Sequence, residues 1–176
     1  MRIVGGKFKG RTLLAFDGDK IRPTSDKARE SLFNILQFQI SNTKFLDLFG
    51  GTGAVGLEAL SRGATGVYVI DASIDSIRLI NKNKEKLNIQ NGLVVKHLDA
   101  VEFLKTTDQK FDIIFVDPPY KEGYYEKVAP LLYNVLQDGG IAILESENEL
   151  DINAVGLSVY DNRKYGRTRF TFLKKE

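Results

Sequence analysis

The 176-residue chain has the length of one ordinary domain, and a composition 43% hydrophobic and 27% charged excludes a disordered, collagenous or coiled-coil protein. With no cysteine and a single histidine it can build neither a disulfide framework nor a thiolate or histidine-rich metal centre, so no metal is expected. The net charge of +2 divides unevenly, with +4 over residues 1–30, −6 over 31–160 and +4 over 161–176, so a polyanion would be approached through the two ends if folding brings them together.

The opening MRIVGGKFKG lacks the apolar h-region of a secretory leader, and no apolar run approaches the roughly 18 residues of a membrane span. A soluble, unprocessed, cytoplasmic protein without membrane contact is therefore expected. Residues 1–16 are short, β-branched and punctuated by glycine, as in a small hairpin, and Pro23-Thr24-Ser25 opens a helix whose apolar face carries Ala28, Leu32 and Ile40. From residue 44 the pattern changes. Apolar runs at 45–49, 67–70, 93–98, 113–116 and 141–144 alternate with longer amphipathic segments, which specifies an α/β fold with a parallel sheet covered by helices on both faces. Gly63, Asn91-Gly92 and Gly139-Gly140 fall where helices stop or turns form. The runs 155–160 and 167–173 leave no room for a helix between them and predict a closing antiparallel pair, with Tyr165, Arg167 and Arg169 on one face and Phe170 and Phe172 on the other. The whole chain, 1–176, reads as one domain: a hairpin and helix over 1–43, then a core over 44–176.

Gly51-Thr52-Gly53-Ala54-Val55-Gly56 follows the first core strand and opens a helix, the context in which such glycines let backbone approach a nucleoside ligand. Asp71 lies twenty residues beyond Gly51, at the end of the next strand, where a carboxylate can accept hydrogen bonds from ribose hydroxyls. Nicotinamide dinucleotides share this fingerprint. Asp47, four residues before Gly51, bears on the choice: a carboxylate there repels a pyrophosphate and attracts a cation, which suits S-adenosylmethionine, although it could also face solvent or cap the loop. Asp99 could accept from the adenine amino group or cap the following helix. His97, among apolar neighbours, reads as a satisfied structural residue.

The run 111–116 leads straight into Asp117-Pro118-Pro119-Tyr120. In an open parallel sheet this strand should neighbour the first, placing the turn beside the cofactor. Two prolines fix φ and remove two donors, which leaves carbonyls and a carboxylate as a rigid acceptor surface capped by an aromatic ring. Such a surface can hold an exocyclic nucleobase amine in line with a methyl donor, with Asp117 and the Pro118 carbonyl accepting its N–H bonds and Tyr120 stacking on the base. One carboxylate matches the adjacent N1–H and N2–H donors of guanine better than the donor and acceptor of adenine.

Together RIVGGKFKGRTL, RPTSDKARESLFNIL, FLDLFGGTGAVGLEALSRGA, FDIIFVDPPY and YGRTRFTFL make the chain resemble, over essentially its whole length, the bacterial 16S rRNA guanine-N2 methyltransferases, class I enzymes that use S-adenosylmethionine. The resemblance implies a Rossmann-like fold and methylation of guanine 966 at N2. Asp47, Gly51, Thr52, Gly53, Asp71, Ala72, Asp99 and Ala100 would then line the cofactor, and Asp117, Pro118, Pro119 and Tyr120 would hold the guanine. Arg22, Thr24 and Arg29 would edge the site, and Arg2, Lys7, Lys9 and Arg11 would meet RNA phosphates. The implied partner is 16S rRNA, flipped or unpaired at the target, within an assembling small subunit and bound by a monomer. Gly50 stands where the family commonly has alanine, a difference expected to change little. The rival readings are an adenine-N6 methyltransferase acting on DNA or RNA, a nicotinamide-dependent oxidoreductase and a non-catalytic RNA-binding factor.

Overall fold

The computed structural model describes residues 1–16, 25–119, 123–152 and 154–175. Helix α1 (Asp26–Ile35) begins where Ser25 Oγ accepts a hydrogen bond from the Ala28 amide at 3.1 Å. Five strands then alternate with helices: β1 (Lys44–Asp47), α2 (Ala54–Ser61), β2 (Gly66–Asp71), α3 (Ile74–Lys86), β3 (Leu93–His97), α4 (Ala100–Thr106), β4 (Phe111–Val116), α5 (Tyr124–Val135) and β5 (Leu136–Ser146). The chain closes with β6 (Leu157–Tyr165) and β7 (Thr168–Lys175). They form one sheet in the order β3-β2-β1-β4-β5-β7-β6, parallel from β3 to β5 and antiparallel at β7 and β6. Strand β1 pairs with both β2 and β4, so the order reverses there and opens a crevice at the carboxyl ends of the two strands.

The sheet separates two apolar layers. Phe33 of α1, Leu57 of α2 and Ile80 of α3 pack on one face with Phe45, Phe115, Phe170 and Phe172; Phe103 of α4 and Leu132 of α5 pack on the other with Leu46, Ile114 and Leu144. Ile3 and Leu13 belong to the first layer, which packs the amino-terminal segment on the same face as Phe170 and Phe172 of β7, while Leu157 and Leu173 of the last hairpin face the second layer.

Residues 1–16 fold back on themselves as the expected small hairpin, with the Ile3 amide donating to the Arg11 carbonyl at 3.0 Å, Gly10 to Ile3 at 2.9 Å and Leu13 to Met1 at 3.1 Å. A single antiparallel bridge joins Arg2 to Thr12, and a 3-10 turn spans Gly6–Phe8. The segment also directs backbone groups onto helix side chains. The Val4 amide donates to Glu58 Oε2 at 2.8 Å and the Phe8 amide to Ser61 Oγ at 2.9 Å, while Ser61 Oγ donates to the Gly5 carbonyl. Fully buried Asn83 of α3 accepts from the Leu14 amide at 2.7 Å and donates to the carbonyls of Leu14 and Thr52, so the segment is tied to the glycine loop as well.

Two expectations change. Strand β5 begins directly after α5, and Gly139-Gly140 lie inside it. Phe111 pairs with Leu136 while Ile113 pairs with Ile141, and a Cβ on Gly140 would sit 2.8 Å from the Asp112 carbonyl, so glycine serves a close strand contact there rather than a helix stop. Tyr165 joins Phe170 on the buried face, ring centroids 6.0 Å apart, because the tight turn sets Tyr165 opposite Thr168.

The ion cluster under the amino-terminal segment generates a stability test. Glu58 is fully buried and holds Arg62 Nε at 2.8 Å, with Arg29 Nε 3.6 Å away. Glu58→Ala leaves two guanidinium groups without their shared carboxylate and should cost about 3–5 kcal/mol in urea unfolding. A loss below about 1 kcal/mol would show that water already screens the cluster.

Candidate active site

The crevice at the carboxyl ends of β1, β2 and β4 is a cavity of about 410 Å³, within the range of small-molecule sites. Its floor is the bend between β1 and α2. Gly53 caps α2 at φ +78°, a left-handed conformation that glycine adopts without strain. A Cβ on Gly56 would lie 2.6 Å from Val69 Cγ2, so only glycine lets the first turn of α2 approach the sheet this closely, and its amide donates to Asp47 Oδ2 at 2.9 Å. At the rim Asp71 accepts from the Gly51 amide through Oδ2 at 2.7 Å and from the Ser73 amide through Oδ1 at 2.8 Å. A carboxylate has about four acceptor sites, so both oxygens can still receive ligand hydroxyls.

Asp99 caps α4, with Oδ1 accepting from the amides of Val101 and Glu102 at 2.9 and 3.1 Å. Because Asp99 also lines the cavity, capping and ligand binding are compatible: Oδ2 has no partner among the described residues. Phe49 and Tyr124 meet edge to face, centroids 5.6 Å apart, as an aromatic wall between the glycine bend and the Asp117-Pro118-Pro119 turn.

The cavity is poor in positive charge and rich in carboxylates. Burial, and then the charges of Asp71 and Glu145, push the Asp47 carboxyl up to about 7 against the Gly56 amide, which lowers it. Burial also raises the Asp117 carboxyl well above the ordinary range, with Glu145 and Asp47 adding repulsion. Glu145 follows Leu144, which pairs with Val116, so it stands next to Asp117 across the β4–β5 ladder. Such a site favours a cation and disfavours a phosphate.

The structure brings Asp47, Gly51, Thr52, Asp71, Ala72, Asp99, Ala100, Asp117, Pro118 and Pro119 around one cavity, with Gly53 in the bend beneath. Tyr120, Arg22 and Thr24 lie outside the described residues. Arg29 does not edge the site: it is fully buried, with Nη2 donating to the Arg2 carbonyl and to Asp26 Oδ1, because α1 turns it inward beneath the amino-terminal segment. Arg2, Lys7, Lys9 and Arg11 are exposed, but Lys7 belongs to the turn held by Ser61 at the far end of α2, one eight-residue helix, roughly 12 Å, from the glycine bend. His97 is exposed on edge strand β3, with Nε2 3.0 Å from the Ala72 carbonyl, and not among apolar neighbours. Gly50 matters sterically after all: a Cβ there would meet Val69 Cγ1 at 2.3 Å.

Phe49, Ser73, Ser76, Phe115 and Tyr124 also line the cavity. For Phe49 the signal was an aromatic directly before the glycine run, whereas Tyr124 carries none that separates it from an ordinary helix start.

A family model described as Conserved hypothetical protein 95 matches residues 1–174. The chain belongs to this family. Ribosomal RNA small subunit methyltransferase D of Escherichia coli (strain K12) is 36% identical over 180 residues, covering 100% of this chain and 90% of that one. YlbH of Bacillus subtilis (strain 168) is 34% identical over 182 residues, 99% of each chain. The solved structure of Escherichia coli yhhF superposes with a TM-score of 0.89 at 33% identity and covers 100% of this chain and 98% of that one.

The buried carboxylate gives the fold a pH dependence. Asp47 binds a proton more tightly folded than unfolded, so its contribution to stability is complete below about 3.8 and is lost as pH rises toward about 7. Without ligand the protein should therefore melt at lower temperature at pH 8 than at pH 5, and Asp47→Asn, which still accepts from Gly56, should flatten that slope. An unaltered slope in Asp47→Asn would assign the dependence to other groups.

Proposed function

We propose that the chain transfers a methyl group from S-adenosylmethionine to the exocyclic N2 of a guanine in 16S rRNA. The observation that carries this reading is the meeting, around one cavity, of the glycine bend with Asp71 and of the Asp117-Pro118-Pro119 turn. The cavity suits the cofactor by its donor set. Asp71 can accept from the ribose hydroxyls and Asp99 Oδ2 from the adenine amino group, and a cation beside Asp47 and Asp117 would offset the burial and mutual repulsion that raise their proton affinity, whereas the pyrophosphate of a nicotinamide dinucleotide would add to that repulsion. S-adenosylmethionine, when bound, supplies an electrophilic methyl group on a positively charged sulfur.

The protein's own part is positioning. The Pro118 carbonyl and the Asp117 carboxylate accept the two N–H bonds of the target amine and orient its nitrogen lone pair, while Phe49 and Tyr124 exclude water from one side of the cavity. Burial and the neighbouring carboxylates strengthen the proton affinity of Asp117, which suits it to take the amine proton. Guanine fits better than adenine because one carboxylate can accept both N1–H and N2–H.

The RNA substrate is supported by the relative named for the small ribosomal subunit. Action as a cytoplasmic monomer on an assembling subunit, with Arg2, Lys7, Lys9 and Arg11 on RNA phosphates, belongs to the same reading. No helix among the described residues is long and apolar enough to cross a membrane.

Labelled S-adenosylmethionine and small subunits lacking the modification should yield N2-methylguanosine on nucleoside analysis, and Asp117→Ala should lower kcat about 100- to 1000-fold. Label in N6-methyladenosine, or full turnover by Asp117→Ala, would overturn the assignment.

A further inference from the structure

Four cations of the carboxyl-terminal hairpin, Arg163, Lys164, Arg167 and Arg169, lie toward the catalytic edge of the sheet, which the proposed contacts with RNA do not use, whereas Lys174 and Lys175 lie at the other end of β7. Strand β7 runs antiparallel to β5, with Glu145 paired to Phe170 and Ser146 to Arg169, so the start of β7 lies beside the carboxyl end of β5. Strand β6 arrives at the same edge, with Lys164 paired to Arg169 and Tyr165 to Thr168. The turn between them, Gly166-Arg167, therefore stands level with the Asp117-Pro118-Pro119 turn. One strand spacing is about 4.8 Å, which puts the backbone of Arg169 roughly 10 Å and that of Lys164 roughly 14 Å from Asp117. A nucleic-acid strand carries a phosphate every ~3.4 Å of helix axis, so these distances fall within one short stretch of RNA around the target base. Lys7, by contrast, is a helix length away from the glycine bend.

The turn is rigid. Gly166 has φ +63° in a two-residue connection, the geometry in which glycine takes the first central position and matches the strand twist. Behind it the Tyr165 and Phe170 rings pack together. Arg163 is already paired, its Nε 2.8 Å from Asp161 Oδ2. Lys164 and Arg167 are exposed and have no carboxylate partner among the described residues. Half-buried Arg169 donates from Nη1 to Asn162 Oδ1 at 2.9 Å, while its buried Nε has no partner there. Cations left unneutralised on a stiff hairpin beside an anionic cavity suit a ligand whose backbone is anionic and whose reacting base is not.

We propose that the β6–β7 turn is a second RNA-contact surface, in which Lys164, Arg167 and Arg169 bind the phosphates flanking the base held at Asp117. The inference rests on the RNA methyltransferase reading above and adds to it the surface that seats the strand at the catalytic edge.

The test is the double variant Lys164→Ala/Arg167→Ala, assayed with small subunits lacking the modification, with 16S rRNA binding followed over a salt series. Loss of two phosphate contacts to single-stranded RNA should flatten the slope of log K against log salt by about 1.4, and KM for RNA should rise roughly tenfold. Calorimetric binding of S-adenosylmethionine without RNA should match wild type, and Lys164→Arg/Arg167→Lys should restore the slope. A double variant with wild-type slope and KM overturns this proposal and leaves the methyltransferase reading standing. Failure of the wild-type protein to bind or methylate RNA overturns both.

Discussion

The site depends on one buried contact between a carboxylate and a helix amide. Asp47 ends β1, Gly56 lies in the first turn of α2, and the 2.9 Å hydrogen bond between them presses the helix against the sheet at the point where strand order reverses. A side chain at Gly56 would collide with Val69, so the contact requires glycine, and a side chain at position 47 that cannot ionise would remove the acid that a bound cation would hold in its charged form. The same atoms thus shape the bend and set its electrostatic preference. Burial that raises the Asp47 carboxyl to about 7 is the energetic consequence of keeping an acid there without a fixed cation.

Around that contact the protein uses rigid elements to hold acceptors. Asp71 is oriented by two backbone amides, Asp99 by two more, and Asp117 is followed by two prolines at the end of a buried strand. Chemistry that relies on alignment rather than on a covalent intermediate needs this preorganisation. The amino-terminal segment is bound into the same framework: Asn83 bonds to Leu14 and to Thr52, and Glu58 and Ser61 hold residues 4–8 along α2. The exposed cations of residues 2–11 are therefore carried at a fixed distance from the glycine bend.

The distribution of charge follows the proposed substrate. The cavity is acidic, which suits a cationic cofactor, and the exposed basic residues of the amino-terminal segment and the last hairpin lie outside it, where phosphates would pass. Keeping the two signs apart lets one small protein attract a cation and a polyanion without either occupying the other's place.

Much of this was legible in the order of residues because it is local. Alternating apolar runs specify a parallel sheet, the glycine spacing after the first run specifies a bend that approaches a ligand, and Asp117-Pro118-Pro119 is a stiff acceptor surface wherever it occurs. What depends on partners distant in the chain was not legible. Arg29 has the composition of a surface contact yet is buried against Glu58, the opening hairpin is anchored by side chains of α2 and α3 as well as by its own backbone bonds, and Tyr165 faces inward because of its pairing with Thr168. Gly50 looks interchangeable with alanine until Val69 packs against it. Periodicity and backbone chemistry act over a few neighbouring residues and are written in their sequence, whereas burial, charge pairing and strand register are set by which surfaces meet, and only the folded chain decides that.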